Sequence, residues 1–175
     1  MERVLASELK EKIGEKVFVA GWVRNVRSLG KINFISVHDR SGKIQAVVKD
    51  EGVAEELKKI GLEDVIKLEG TVNEDKRSKS GAELEVSKII VLSTSDRNLP
   101  VDVQGKTKTN FEHRFNHRVL DLRGERGQAI FNVESTICQA FREHLIQQDF
   151  IEIHTPKIIA TGTEGGANMF PVVYF

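Results

Sequence analysis

Residues 32–48 read INFISVHDRSGKIQAVV, two runs rich in β-branched residues broken by Asp39-Arg40-Ser41-Gly42. A polar, glycine-ended cluster between such runs is a hairpin signal. Side chains alternate across a strand, so Ile35 and Val37 share one face while Phe34, Ser36 and His38 share the other. The spacing predicts a hairpin turning at Arg40-Ser41-Gly42, with Ile35 and Val37 facing a core and Phe34 outside it.

Outward from this hairpin the pattern repeats. KVFVAGWVRNV (16–26) predicts a strand before it, and VAEELKKIG (53–61) predicts a short helix after it, ending on Gly61. DVIKLEGTV (64–72) puts Ile66, Leu68 and Val72 on one face against Lys67, Glu69 and Thr71 on the other. AELEVSKIIVLS (82–93) supplies a fifth strand. Five strands with a helix between the third and fourth predict an all-β OB-fold barrel over residues 1–96, a form that commonly binds single-stranded nucleic acid across its second and third strands.

The segment TSDRNLPVDVQGKTKTN (94–110) is polar, holds Pro100 and Gly105, and has no periodicity. It reads as a linker, placed at 97–112. Beyond it, ERGQAIFNVESTICQAFREHLIQQDF (125–150) carries Ile130, Val133, Ile137, Ala140, Phe141, His144 and Leu145 at helical spacing, which predicts one long amphipathic helix. FIEIHTPKII (150–159) predicts a strand interrupted by Pro156, suited to an edge or an interface.

Charge sums to zero over the 175 residues, with 39% apolar and 30% charged side chains. Its distribution is uneven. Arg24, Arg27, Lys31, Arg40, Lys43 and Lys49 face one acid, Asp39, between residues 22 and 49, whereas residues 53–75 hold seven acids against three lysines. Segregation of this kind gives a neutral protein one basic face for a polyanion; a solvated strand surface would show the same pattern. Cys138 is the lone cysteine, so no intrachain disulfide forms, and no Cys/His cluster has zinc spacing. The charged N-terminus does not read as a secretory signal and no run reaches membrane-spanning length, so the expected location is the cytoplasm, with neither membrane nor DNA as a partner.

An aromatic ring among cations is what base stacking requires, and Phe34 meets that description. Gln45, on the next strand, offers an amide with both donor and acceptor to a base edge. A ring packed under a loop and an ordinary surface glutamine are the plainer alternatives. Lys76, Arg77 and Lys79 in NEDKRSKSGAE (73–83) suit a grip on phosphates or a base at the barrel's edge, although such a run is more often a solvated turn. TGTEGG (161–166) lacks the Lys-Ser/Thr of a phosphate loop. Its glycines allow hinge motion, and Glu164 would pair with a cationic ligand group if the loop closed, although an ordinary glycine-rich turn is the plainer reading. No catalytic triad and no metal site is visible.

These pieces together resemble the aspartyl-tRNA synthetases of archaeal type, a class II family. AGWVRNVRSLGKINFISVHDRSGKIQAVV (20–48) resembles its anticodon-binding domain, and FNHRVLDLR (115–123) its hinge into the catalytic domain. FIEIHTPKII is similar to the first class II motif, and TEGGANMFPVVYF (163–175) to the aspartate enzymes' flipping loop. The resemblance implies that Phe34 stacks on an anticodon base, with Arg27 and Gln45 at its Watson–Crick edge. It implies that Glu164 senses the α-amino group of L-aspartate, and that Pro156 lies at a homodimer interface. Lys79 and Arg24 fall where the family separates tRNA-Asp from tRNA-Asn, and Arg24 departs from the aromatic or His often found there. ATP and magnesium are implied as well, although the second and third class II motifs are not among these residues. The expectation is therefore a piece of an aspartate–tRNA ligase, inactive by itself, with residues 113–175 as the start of its α+β catalytic domain. A free-standing tRNA- or single-strand-binding module and an asparaginyl enzyme remain as alternatives.

Overall fold

The computed structural model describes residues 1–76, 78, 80–158, 170, 172 and 173. Five strands, β1 (Lys16–Leu29), β2 (Ile32–Asp39), β3 (Gly42–Val48), β4 (Val65–Glu74) and β5 (Ala82–Ser93), close into a barrel in the order β1-β2-β3-β5-β4. Neighbouring strands are antiparallel except β3 and β5, whose short parallel pairing of Ala46 with Leu84 and Val47 with Glu85 seals the barrel. Helix α1 (Glu51–Leu57) lies between β3 and β4 as expected. Asp50 caps it by accepting the Val53 N–H at 3.0 Å. It stops at Leu57, short of Gly61, because Gly61 belongs to the next loop, where its N–H donates to Asp64.

The interior is built from the alternation already visible in the strands: Val19, Val23, Ile35, Val37, Ile44, Ile66, Leu68 and Leu84 are fully buried. A 3₁₀ helix, Ala6–Lys12, adds Leu9 and Ala6 to this core. Its first turn is fixed to the β2–β3 turn, where the Ala6 N–H donates to Asp39 Oδ2 at 2.8 Å. Removing each large aliphatic side chain from water contributes about 1.5–3 kcal/mol, so the closed sheet covers its own apolar face.

The residues expected to be a bare linker are attached to the barrel. Arg97 Nη1 reaches Asp64 at 2.9 Å, Val101 is buried, and the Gln104 amide donates to the Arg24 carbonyl. Two short helices follow, α2 (Phe111–Asn116) and α3 (Arg118–Asp121). By contact density the chain divides into two units, 1–121 and 122–175.

In the second unit α4 runs from Glu125 to Ile146. Asp149, at φ 64°, takes the left-handed conformation that turns the chain beyond the helix end, and the Phe150 N–H returns to the Leu145 carbonyl at 3.1 Å. None of the α4 residues is buried. The strand expected at 150–159 is absent: residues 151–158 form no ladder among the described residues. A strand exists only where a neighbour takes its N–H and C=O groups, and no described segment does so here. Among the described residues no helix is long and apolar enough to cross a membrane.

Candidate nucleic-acid interface

One irregularity in β1 builds the outer face of the barrel. Val23 pairs with Val37 and Asn25 with Ser36, so Arg24 is an extra residue in a β-bulge. Strict alternation from Val17, Val19 and Val23 would turn Asn25 and Arg27 inward. The bulge reverses the parity, sending Asn25 and Arg27 outward and Val26 toward the core.

The loop before β4 holds that bulge. The Val23 N–H donates to the Asp64 carbonyl at 2.9 Å, and the Glu63 N–H donates to the Val23 carbonyl at 2.8 Å. Arg24 Nη1 meets Glu63 Oε1 at 2.7 Å, with both side chains buried. Glu63 has φ 64°, a left-handed conformation that costs a non-glycine residue energy and that these contacts hold in place. Asp64 is buried below, accepting from the Gly61 and Ser95 N–H groups, each at 2.8 Å, and from Arg97. Burial pushes the Asp64 carboxyl up, and the donors from Gly61, Ser95 and Arg97 outweigh it, leaving the group below the usual carboxylate range.

With the bulge in place, cross-strand rows form on β1-β2-β3. Asn25, Ser36 and Gln45 make one row, and Arg27, Phe34 and Val47 the next. Asn25, Arg27, Phe34, Ile35, Ser36, Lys43 and Gln45 line a cleft of about 80 Å³. The Arg27 guanidinium carbon lies 5.0 Å from the centre of the Phe34 ring, a cation–π contact worth about 0.5–1 kcal/mol at an exposed site. Among the described residues Ser36 Oγ is buried and has no hydrogen-bond partner.

The structure thus brings Phe34, Arg27 and Gln45 together, and adds Asn25, Ser36 and Lys43. Of these, Ser36 was visible in the alternation. Asn25 was hidden, because only the bulge turns it outward. Arg24 is not brought to the cleft: it is buried against Glu63 and lines a separate cavity of about 300 Å³ with Leu62, Arg97 and Gln104. Lys49 is paired with Glu85 at 2.7 Å, and the Lys49 hydrogen bond draws the Glu85 carboxyl below its usual range. The basic face is consequently narrower than the six cations of residues 22–49 suggested. Pro156 is exposed. Lys79, Arg77 and Glu164 lie outside the described residues. Among the described residues no three His, Cys, Asp or Glu side chains gather as a metal site.

Comparison with known proteins agrees with the fold. Residues 17–92 match the OB-fold nucleic acid binding domain family, and residues 110–174 match the class II tRNA synthetases (D, K and N). The chain therefore joins an OB-fold nucleic-acid-binding domain to a class II tRNA synthetase domain. It is 46% identical, over 94% of its length, to an aspartate–tRNA(Asp/Asn) ligase of Methanopyrus kandleri, covering 39% of that protein. It is 43% identical, over 97% of its length, to an aspartate–tRNA(Asp) ligase of Pyrococcus abyssi, covering 40% of it. Among solved structures it is similar to asparaginyl-tRNA synthetase from Pyrococcus horikoshii complexed with asparaginyl-adenylate, with a TM-score of 0.88, 32% identity, and coverage of 100% of this chain and 41% of that one. The chain belongs to the archaeal-type aspartyl-tRNA synthetase family and spans about 40% of the length of the curated relatives it matches.

Proposed function

We propose that this chain supplies tRNA anticodon binding to an aspartate–tRNA ligase. The observation that carries the reading is the cleft on β1-β2-β3, where an outward Phe34 ring stands beside Arg27, Gln45 and Lys43. A base stacks on this ring, a contact worth about 1–3 kcal/mol. Gln45 and Arg27 address its edge, and Lys43 offers a cation to phosphate. The closed barrel could also serve as a free-standing single-strand binder, a reading its self-contained core supports.

The whole enzyme would form aspartyl-adenylate from L-aspartate and ATP, release pyrophosphate, and pass the acyl group to the terminal ribose of tRNA-Asp with AMP leaving. The relatives' names include both tRNA(Asp) and tRNA(Asp/Asn) specificities, so charging of tRNA-Asn is a second half of the proposal. Lys79 would bear on that choice, Glu164 on the aspartate amino group, and Pro156 on a homodimer seam. Class II synthetases use ATP with magnesium. Among the described residues no three His, Cys, Asp or Glu side chains gather as a metal site, and no catalytic step is assigned to them.

Two measurements test the reading. The 175-residue chain should bind an anticodon stem-loop of tRNA-Asp more tightly than a loop of scrambled anticodon, with affinity falling as salt rises; equal affinity for both loops would overturn it. A full-length enzyme carrying this chain should exchange pyrophosphate into ATP with aspartate. Exchange with asparagine and none with aspartate would assign it to the asparaginyl enzymes instead.

A further inference from the structure

A residue with no assigned role stands at the floor of the cleft. Ser36 is only 9% exposed, and among the described residues its Oγ has no hydrogen-bond partner. Buried hydroxyls are normally satisfied, so such a group calls for a partner from outside the fold. The strand pairing fixes the direction of its Cα–Cβ bond. Ser36 is the central residue of three paired strands, held between Asn25 on β1 and Gln45 on β3. Both of those neighbours carry amides that line the same cleft.

Phe34 lies two residues earlier on the same face, about 7 Å along the strand. A base in van der Waals contact with that ring stands about 3.5–4 Å from it. A base on the ring face toward Ser36 would extend over Ser36, with its edge toward the row Asn25, Ser36 and Gln45. We propose that Ser36 reads the edge of the base stacked on Phe34, its hydroxyl exchanging a hydrogen bond with that base. Serine fits the position because its hydroxyl both donates and accepts, while its small side chain leaves the cleft open. The proposal rests on the anticodon-binding reading above and adds a specificity-determining residue to it.

The test compares the 175-residue chain with Ser36→Ala and Phe34→Ala variants by fluorescence anisotropy. The probes are an anticodon stem-loop of tRNA-Asp and three versions of it, each altered at one anticodon base. Ser36→Ala should keep or raise the Tm, because it deletes a buried hydroxyl that the protein leaves unpaired. It should weaken binding of the unaltered loop about tenfold, and should erase the penalty for the altered base at one anticodon position while leaving the other two. Affinity within about twofold of the parent for the unaltered loop would overturn the proposal. So would an equal loss for all four loops, or a fall in Tm of several degrees, which would make the hydroxyl a structural group. If Ser36→Ala is silent while Phe34→Ala weakens binding, the Ser36 role fails alone. If Phe34→Ala is silent too, or the parent chain does not bind the loop, the anticodon reading fails with it.

Discussion

In the barrel, Ile35, Val37, Ile44, Ile66 and Leu68 have no exposed surface, whereas along α4 Ile130, Val133, Ile137 and Phe141 are 54–64% exposed. Both regions carry clear apolar periodicity, one of period two and one helical. A sheet that closes on itself brings its apolar face against its own residues. A single helix cannot, and its stripe waits for another element. An amphipathic pattern therefore states that a face is to be covered without saying by what. Beside α4 a groove of about 270 Å³, lined by Phe141, Leu145, Ile146, Phe150 and Ile151, marks where that covering would fit.

The sharpest way to break this contrast is to truncate one residue in each region. Ile35→Ala or Leu68→Ala should destabilise the barrel by about 2–5 kcal/mol. Ile137→Ala should change unfolding of the barrel by less than about 0.5 kcal/mol. Urea denaturation followed by Trp22 fluorescence measures both, and similar losses would mean that α4 is covered after all.

A second substitution probes the loop that holds the bulge. Asp64→Ala removes the acceptor shared by Gly61, Ser95 and Arg97, and should cost about 1.5–3 kcal/mol. The Asp64 carboxyl is held below its usual range. Its contribution is thus fully present above the unfolded value of about 4 and is lost as pH falls through the lower folded value. Parent and Asp64→Ala stabilities should converge on acidification, and a constant gap down to acidic pH would contradict that role.

Turning from stability to binding, Phe34→Ala should weaken the tRNA-Asp anticodon stem-loop by about 1–3 kcal/mol while leaving the core intact. An unchanged affinity in a titration would remove Phe34 from the interface. The smallest effect is expected at the exposed Lys49–Glu85 pair. Glu85→Gln should alter stability by less than about 1 kcal/mol and slightly tighten RNA binding by releasing Lys49. Weaker RNA binding would indicate that Glu85 itself is needed at this face.

Much of this is legible in the sequence. The five strands, the hairpin turn at Arg40-Ser41-Gly42 and the outward Phe34 follow from alternation, which is a local property of the chain. The helix of residues 125–146 follows from its stripe in the same way. Arg27 was placed beside Phe34 by resemblance alone, since simple parity in β1 would have buried it. The bulge at Arg24 that corrects the parity depends on a loop 39 residues away, through Glu63. Asp64 looked like one more acid in an acidic stretch until its donors from Gly61, Ser95 and Arg97 were seen.

The sequence by itself therefore determined which faces are apolar, the five strands of the barrel, and that an aromatic stands among cations. Each of these depends on neighbours within a few residues. Tertiary structure alone decided which cations reach the cleft, turning Asn25 and Arg27 outward, burying Arg24 on Glu63 and pairing Lys49 with Glu85. It also decided that residues 151–158 form no strand, because a strand needs a partner that its own sequence does not contain. Parity, pairing and burial are set by contacts between distant segments, and the physics of those contacts made the cleft around Ser36.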